Sequence, residues 1–214
     1  MNKQYILFDL DGTITDPKMG ITKGIKYSLS KFNIEVNNLD ELCKFIGPPL
    51  KDSFMEFYNF DEEKTNEAIK YYREYYSDKG KFENYVYDNF EKLLLLLKFK
   101  RKTLIVATSK PTVFAKEILE HFNLVKYFDF ISGSNLDGTR CNKDEVIKYA
   151  LEENNIKDLS QVVMVGDRKY DILGAKKVGI ESVGVLYGYG NLEEMKECEA
   201  DYIAKDVFEL MEIL

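Results

Sequence analysis

Hydrophobic positions along the chain recur with two periods. Residues 5–10 read as a short strand, apolar over 5–8, that ends in the acidic turn Asp11-Gly12-Thr13. Runs of this kind, bounded by turn residues, predict buried parallel strands. From residue 16 to 81 no convincing strand occurs. Ile21, Ile25, Leu29 and Phe32 recur at helical spacing, and residues 62–76 continue that pattern. From residue 88 the pattern alternates. A leucine-rich helix over 88–99 leads to a strand at 103–107 and a helix opened by Pro111, where a missing N–H costs nothing. A short strand near 130–131, a helix over 143–153, a strand at 162–165, a helix over 171–178, a strand at 182–185 and two short terminal elements follow.

Alternating strands and helices imply an α/β protein with a doubly wound parallel sheet covered on both faces. The helical stretch before them reads as a small α-helical cap inserted after the first strand. The expected division is a core of residues 1–15 and 84–214 and a cap of residues 16–83. The segment 54–90 is crowded with aromatics, among them Phe57, Tyr58, Tyr71, Tyr72, Tyr75, Tyr76, Tyr85 and Tyr87. Stacking on a nucleobase would use such rings. Packing of a small helical core explains them with fewer assumptions.

Composition narrows the function classes. The 214 residues are 45% hydrophobic and 31% charged, which suits one substantial domain with an insert. A net charge of −7 argues against a nucleic-acid partner, which demands a concentrated basic surface. Cys43, Cys141 and Cys198 are scattered and never paired as CxxC, so reduced thiols are expected and no zinc framework. No apolar run is long enough for a membrane span or a signal core, and a cytoplasmic protein is expected.

Open parallel sheets bind ligands at the carboxyl ends of their strands. The first strand ends in Asp9, Asp11, Gly12 and Thr13, and the second in Thr108, Ser109 and Lys110. A loop-to-helix junction brings Lys143, and a later strand ends in Gly166, Asp167 and Asp171. Such groups supply carboxylates for a hard cation, hydroxyl and backbone donors, and one ammonium. That set suits phosphoryl transfer, in which the protein positions reactants and neutralises spread-out negative charge. Mg²⁺ takes oxygen ligands and retains several waters, so two carboxylates and a carbonyl suffice.

These motifs resemble those of the haloacid dehalogenase superfamily of phosphatases. The resemblance covers nearly the whole chain, through Asp9-Leu10-Asp11-Gly12-Thr13, Thr108 after an apolar strand, Lys143, and Gly166-Asp167-Arg168-Lys169-Tyr170-Asp171. It implies a Rossmann-like core and an aspartyl-phosphate mechanism. Asp9 would be nucleophile and Mg²⁺ ligand, and Asp11 the acid/base that also offers its carbonyl to the metal. Thr108 and the Ser109 amide would hold phosphoryl oxygens, with Lys143 balancing their charge. Asp167 would complete the metal site, and Asp171 would orient it or its waters. Residues 46–54 and 185–190 look most like phosphoglycolate phosphatases and a bacterial branch described as 5′-nucleotidases. The loop Gly47-Pro48-Pro49-Leu50-Lys51 resembles one that faces the site in related enzymes, which makes Lys51 a candidate substrate contact. A small phosphorylated metabolite is the expected substrate of a monomer or weak homodimer.

Plainer roles compete at several positions. Thr108 could cap the following helix, Lys148 competes with Lys143 for the lysine role, and Cys141 reads as a free thiol. His121, the only histidine, reads as a helix flank residue. A sugar-phosphate mutase would use the same motifs, Asp11 included. A phospho-accepting switch domain would share an Asp, a Thr or Ser and a Lys, but the cap and GDxxxD oppose it. The dehalogenase branch lacks the second carboxylate of DxD.

Overall fold

The computed structural model describes residues 1–214. The chain opens with strand β1 (Tyr5–Phe8) and a two-residue strand β2 (Thr15–Asp16), then helices α1 (Lys18–Ser30), α2 (Leu50–Tyr58) and α3 (Glu62–Asp78). Strand β3 (Tyr85–Val86) and helix α4 (Phe90–Phe99) precede the long strand β4 (Thr103–Pro111). Next come α5 (Thr112–His121), β5 (Phe130–Ser134), α6 (Lys143–Glu153), β6 (Val162–Gly166), α7 (Lys169–Val178) and β7 (Glu181–Val185). Helix α8 (Leu192–Glu197), strand β8 (Tyr202–Ala204) and helix α9 (Val207–Ile213) end it. Two compact units result: Met1–Asp16 with Val86–Leu214, and Pro17–Tyr85.

The first unit holds a six-stranded parallel sheet in the order β5-β4-β1-β6-β7-β8. Side chains alternate across a strand, so one apolar run feeds both faces. Ile6 and Phe8 join a cluster with Phe90, Leu93, Leu97, Ile118 and Leu210 from α4, α5 and α9. Leu7 joins the opposite cluster with Val146, Ile147, Ala150 and Ala175 from α6 and α7. Both faces are therefore covered, and the strands read as continuous apolar runs because neither face meets water.

Several local expectations change. Strand β4 runs through Pro111, with a register shift against β5 between Ala107 and Pro111. Pro111 thus precedes α5 in an extended conformation instead of opening it. Helix α7 begins at Lys169, two residues early, and β5 extends to Ser134. Three short elements, not two, follow β7. Phe32 lies in the turn after α1, where its N–H bonds to the Leu29 carbonyl.

The second unit is helical. Ser28 on α1 donates to the Ala68 carbonyl of α3 at 2.7 Å, beside the buried Ile21, Ile25 and Leu29. Phe45, Phe54 and Phe60 are buried together, with Phe54 edge-on to Phe45 at 5.1 Å and stacked on Phe60 at 5.9 Å. Tyr72 and Tyr76 are buried and stacked at 5.1 Å. Lysines lie over several of the rings: Lys44 over Phe57, Lys64 over Phe60 and Lys31 over Tyr27. The aromatic richness of this segment therefore builds a packed core, with aliphatic stems and ammonium groups as its cover. Tyr87 belongs to the other unit, edge-on to Tyr187.

Candidate active site

Strand β1 lies between β4 and β6, and the strand order reverses there, which opens a crevice at the carboxyl ends. Phe8 is in register with both Val106 and Val165, so the residues that follow each strand leave the sheet side by side. Asp9, Asp11, Thr108, Lys110, Lys143, Asp167 and Asp171 are all buried.

Asp9 Oδ1 accepts from the Leu10 N–H at 2.8 Å and lies 2.9 Å from Lys143 Nζ. Lys143 comes from the first turn of α6, where Asn142 and Glu145 form a capping box that fixes the helix start. Its ammonium also lies 2.7 Å from Asp171 Oδ1 and donates to the Ala107 carbonyl at 3.1 Å. Burial works against that charge, but the Asp171 and Asp9 carboxylates overcome it and hold the proton more tightly than usual. Lys148, the register competitor, sits on the outer face of α6 and pairs with Asp144.

Asp11 is tied to a different cation, with Oδ2 at 2.6 Å from Lys110 Nζ. Its Oδ1 is buried with no hydrogen-bond partner. Burial raises the affinity of Asp11 for a proton, against the pull of Lys110. The site therefore holds two ammonium groups where the sequence reading assigned one. Thr108 does not cap α5; its Oγ1 accepts from the Lys110 N–H at 3.3 Å. Ser109, at the same strand end, is half-buried.

Asp167 Oδ2 accepts from the Tyr189 N–H at 2.7 Å, and Asp171 Oδ2 accepts from the Arg168 N–H at 3.0 Å. Ligand oxygens of Asp9, Asp167 and Asp171 lie within 4.8 Å of one another. Burial, with the neighbouring Asp171 and Asp9 charges, pushes Asp167 well above the usual carboxylate range. Burial outweighs Lys143 at Asp171 and raises it to about 6. Four buried carboxylates face two ammonium groups, and close like charges resist joint ionisation. Hard oxygen donors with excess negative charge fit a divalent cation such as Mg²⁺. Asp171 lies beside Asp9 and Asp167, its oxygens facing Lys143 and the Arg168 N–H.

A supporting layer escaped the sequence reading. Gly12 adopts φ +82°, and a Cβ there would lie 2.1 Å from the Asp167 carboxylate. At Gly188 a Cβ would lie 2.3 Å from the Gly12 carbonyl. The Tyr187 hydroxyl donates to the Thr13 carbonyl at 3.1 Å, and the Tyr189 hydroxyl donates to Asp16. Glu194 accepts from the Lys169 N–H at 2.6 Å and pairs with Arg168, bracing the loop that carries Asp167. The pattern Tyr187-Gly188-Tyr189-Gly190 was the available signal: small residues alternating with rings after a buried strand.

The candidate substrate contact Lys51 and the flank residue His121 both lie on helices. Lys51 is exposed on α2 in the helical unit and pairs with Glu62 at 2.6 Å. His121 is exposed at the end of α5 beside Phe122. All three cysteines are free thiols, and no helix is long and apolar enough to cross a membrane.

Fold and site together define a Rossmann-like hydrolase acting on phosphate monoesters, with its polar groups gathered where the strand order reverses. The chain belongs to the haloacid dehalogenase-like hydrolase family, whose model matches residues 6–185. A protein from Pseudomonas aeruginosa named 5′-nucleotidase is 43% identical over 209 residues, covering 98% of this chain and 94% of that one. A Mycobacterium tuberculosis protein named tyrosine-protein kinase PtkA is 35% identical, covering 99% and 72%. A phosphoglycolate phosphatase from Colwellia psychrerythraea is 29% identical over 203 residues, covering 91% and 89%. A crystal structure of a "predicted phosphatase" from Clostridium acetobutylicum superposes with a TM-score of 0.97 at 56% identity, covering 100% and 98%.

Proposed function

We propose that this protein is a Mg²⁺-dependent phosphatase that hydrolyses a small phosphate monoester, phosphoglycolate-like or nucleoside-monophosphate-like, through an aspartyl-phosphate on Asp9. The observation that carries the reading is the separate bonding of two carboxylates two residues apart. Asp9 is held by Lys143 and the Leu10 N–H, and Asp11 by Lys110. Different partners suit different tasks. The Asp9 carboxylate forms a bond to phosphorus as the ester P–O bond breaks, and Asp11 gives its proton to the departing oxygen. Asp11 then takes a proton from water, whose oxygen bonds to phosphorus as the Asp9–phosphorus link breaks, releasing phosphate. Thr108 and the Ser109 amide bind the phosphoryl oxygens, while Lys143 holds Asp9 in place and offsets their charge. Asp9, the Asp11 carbonyl and Asp167 would hold Mg²⁺, with Asp171 beside them. The ion would supply positive charge to the transferring group.

Names among the relatives support phosphate-ester chemistry, and the 5′-nucleotidase and phosphoglycolate phosphatase names motivate the substrate classes tested. A relative named as a tyrosine kinase and the mutase alternative both imply phosphoryl transfer to a hydroxyl, so product identity separates the readings. Hydrolysis of p-nitrophenyl phosphate should require Mg²⁺, vanish with EDTA and return with excess Mg²⁺. Ranking nucleoside monophosphates, phosphoglycolate and sugar phosphates by kcat/KM, with inorganic phosphate measured, then selects the substrate class. Full activity in EDTA would remove the metal. Phosphoryl transfer to a hydroxyl without phosphate release would replace hydrolysis with transfer.

A further inference from the structure

We infer that Lys110 is a positioning residue that sets the Asp11 carboxylate for proton transfer. The inference rests on the reading of Asp11 as the acid/base. Lys110 is the penultimate residue of β4, two places beyond Thr108. The register of β4 against β5 shifts between Ala107 and Pro111, and such irregularities re-aim side chains at strand ends. Gly133 of β5 permits close approach, since a Cβ there would lie 2.4 Å from the Lys110 carbonyl. The re-aimed ammonium is buried and lies 2.6 Å from Asp11 Oδ2.

That contact divides the two oxygens of Asp11. Oδ2 is fixed by Lys110, while Oδ1 is buried without a hydrogen-bond partner. Oδ1 is thereby the oxygen available for proton exchange. A carboxylate two residues after the nucleophile would otherwise sample several rotamers, and proton transfer is sensitive to its placement. Buried ion pairs add little net stability, so stability alone does not account for the pairing. One strand end thus serves both halves of the chemistry, Thr108 for the phosphoryl group and Lys110 for the proton carrier.

The test compares two esters in the full-length protein, because p-nitrophenolate leaves without a proton and an alkoxide does not. Phosphoglycolate serves as the alkyl ester and p-nitrophenyl phosphate as the aryl ester. The variants are Lys110→Met, Lys110→Arg and Asp11→Asn. The kcat/KM value reports steps through P–O cleavage, and kcat also includes breakdown of the aspartyl-phosphate. Lys110→Met should lower kcat/KM for the alkyl ester about tenfold or more beyond its effect on the aryl ester. With the aryl ester, kcat should fall with a burst of p-nitrophenol as intermediate breakdown slows. Lys110→Arg should recover part of the alkyl activity. Equal losses on both esters in Lys110→Met, with Asp11→Asn discriminating between them, would overturn the role of Lys110 and leave Asp11 standing. If Asp11→Asn treats both esters alike, the acid/base assignment itself falls.

Discussion

The two units place their polar groups in opposite ways. In the sheet unit, six charged side chains, Asp9, Asp11, Lys110, Lys143, Asp167 and Asp171, are buried together, from strand ends and from the first turns of α6 and α7. In the helical unit, the ion pairs Lys51–Glu62, Lys18–Asp40 and Lys23–Glu83 lie toward solvent, and the interior is aromatic. Burying charge costs stability unless it is paired or bound to a ligand, whereas burying rings stabilises. The first arrangement therefore stores chemistry at the expense of stability, and the second supplies stability from packing. Substitutions in the two places should accordingly move different measurements.

The largest contrast is expected at Asp9. Asp9→Asn should lower kcat at least about 10³-fold and leave the thermal midpoint unreduced, because one charge leaves an over-negative cluster. Robust turnover in that variant would remove Asp9 as nucleophile. Phe54→Ala should do the reverse to stability. Phe54 is fully buried between Phe45 and Phe60, so urea unfolding should show a loss of about 3–5 kcal/mol. A loss below about 1 kcal/mol would show that the aromatic cluster repacks freely.

A smaller effect should appear with pH and metal. Asp171 is raised from 3.8 to about 6, so the folded metal-free protein binds its proton more tightly than the unfolded chain does. This contribution to stability is present below pH 3.8 and is lost as pH rises through about 6. A magnesium ion held as proposed would compete with that proton, so its stabilising effect should be about 1 kcal/mol smaller at pH 5 than at pH 7. Equal metal-induced shifts in melting temperature at the two pH values would contradict competition at these carboxylates. The smallest effect belongs to Lys51. Lys51→Ala should leave the melting temperature unchanged and raise KM for the best substrate a few-fold, because its exposed pair with Glu62 does little for the fold. An unchanged KM would remove Lys51 from substrate binding.

Much of the architecture was legible from periodicity. The strands read at residues 5–10, 103–107 and 162–165 feed two buried faces, as a parallel sheet covered on both sides requires. Helix α6 was legible to the residue because Asn142 and Glu145 mark its start locally. Element edges governed by neighbours were not. The extension of β4 through Pro111 depends on pairing with β5, and the early start of α7 depends on contacts at Arg168 and Lys169. Asp9, Asp11, Lys143, Asp167 and Asp171 were legible as a set through the resemblance they carry, together with the convergence of strand ends in this topology.

The sequence by itself determined the class of sheet, the strand ends that bear chemistry and the family resemblance they carry, since periodicity and motif spacing are local properties of the chain. Only the tertiary structure decided who partners whom. Lys143 bridges Asp9 and Asp171, Lys110 takes Asp11, Asp171 joins the donor cluster, and Tyr189 binds Asp167 from a loop 22 residues away. Those choices depend on distances between strands far apart in sequence, where ångströms decide which cation satisfies which buried carboxylate.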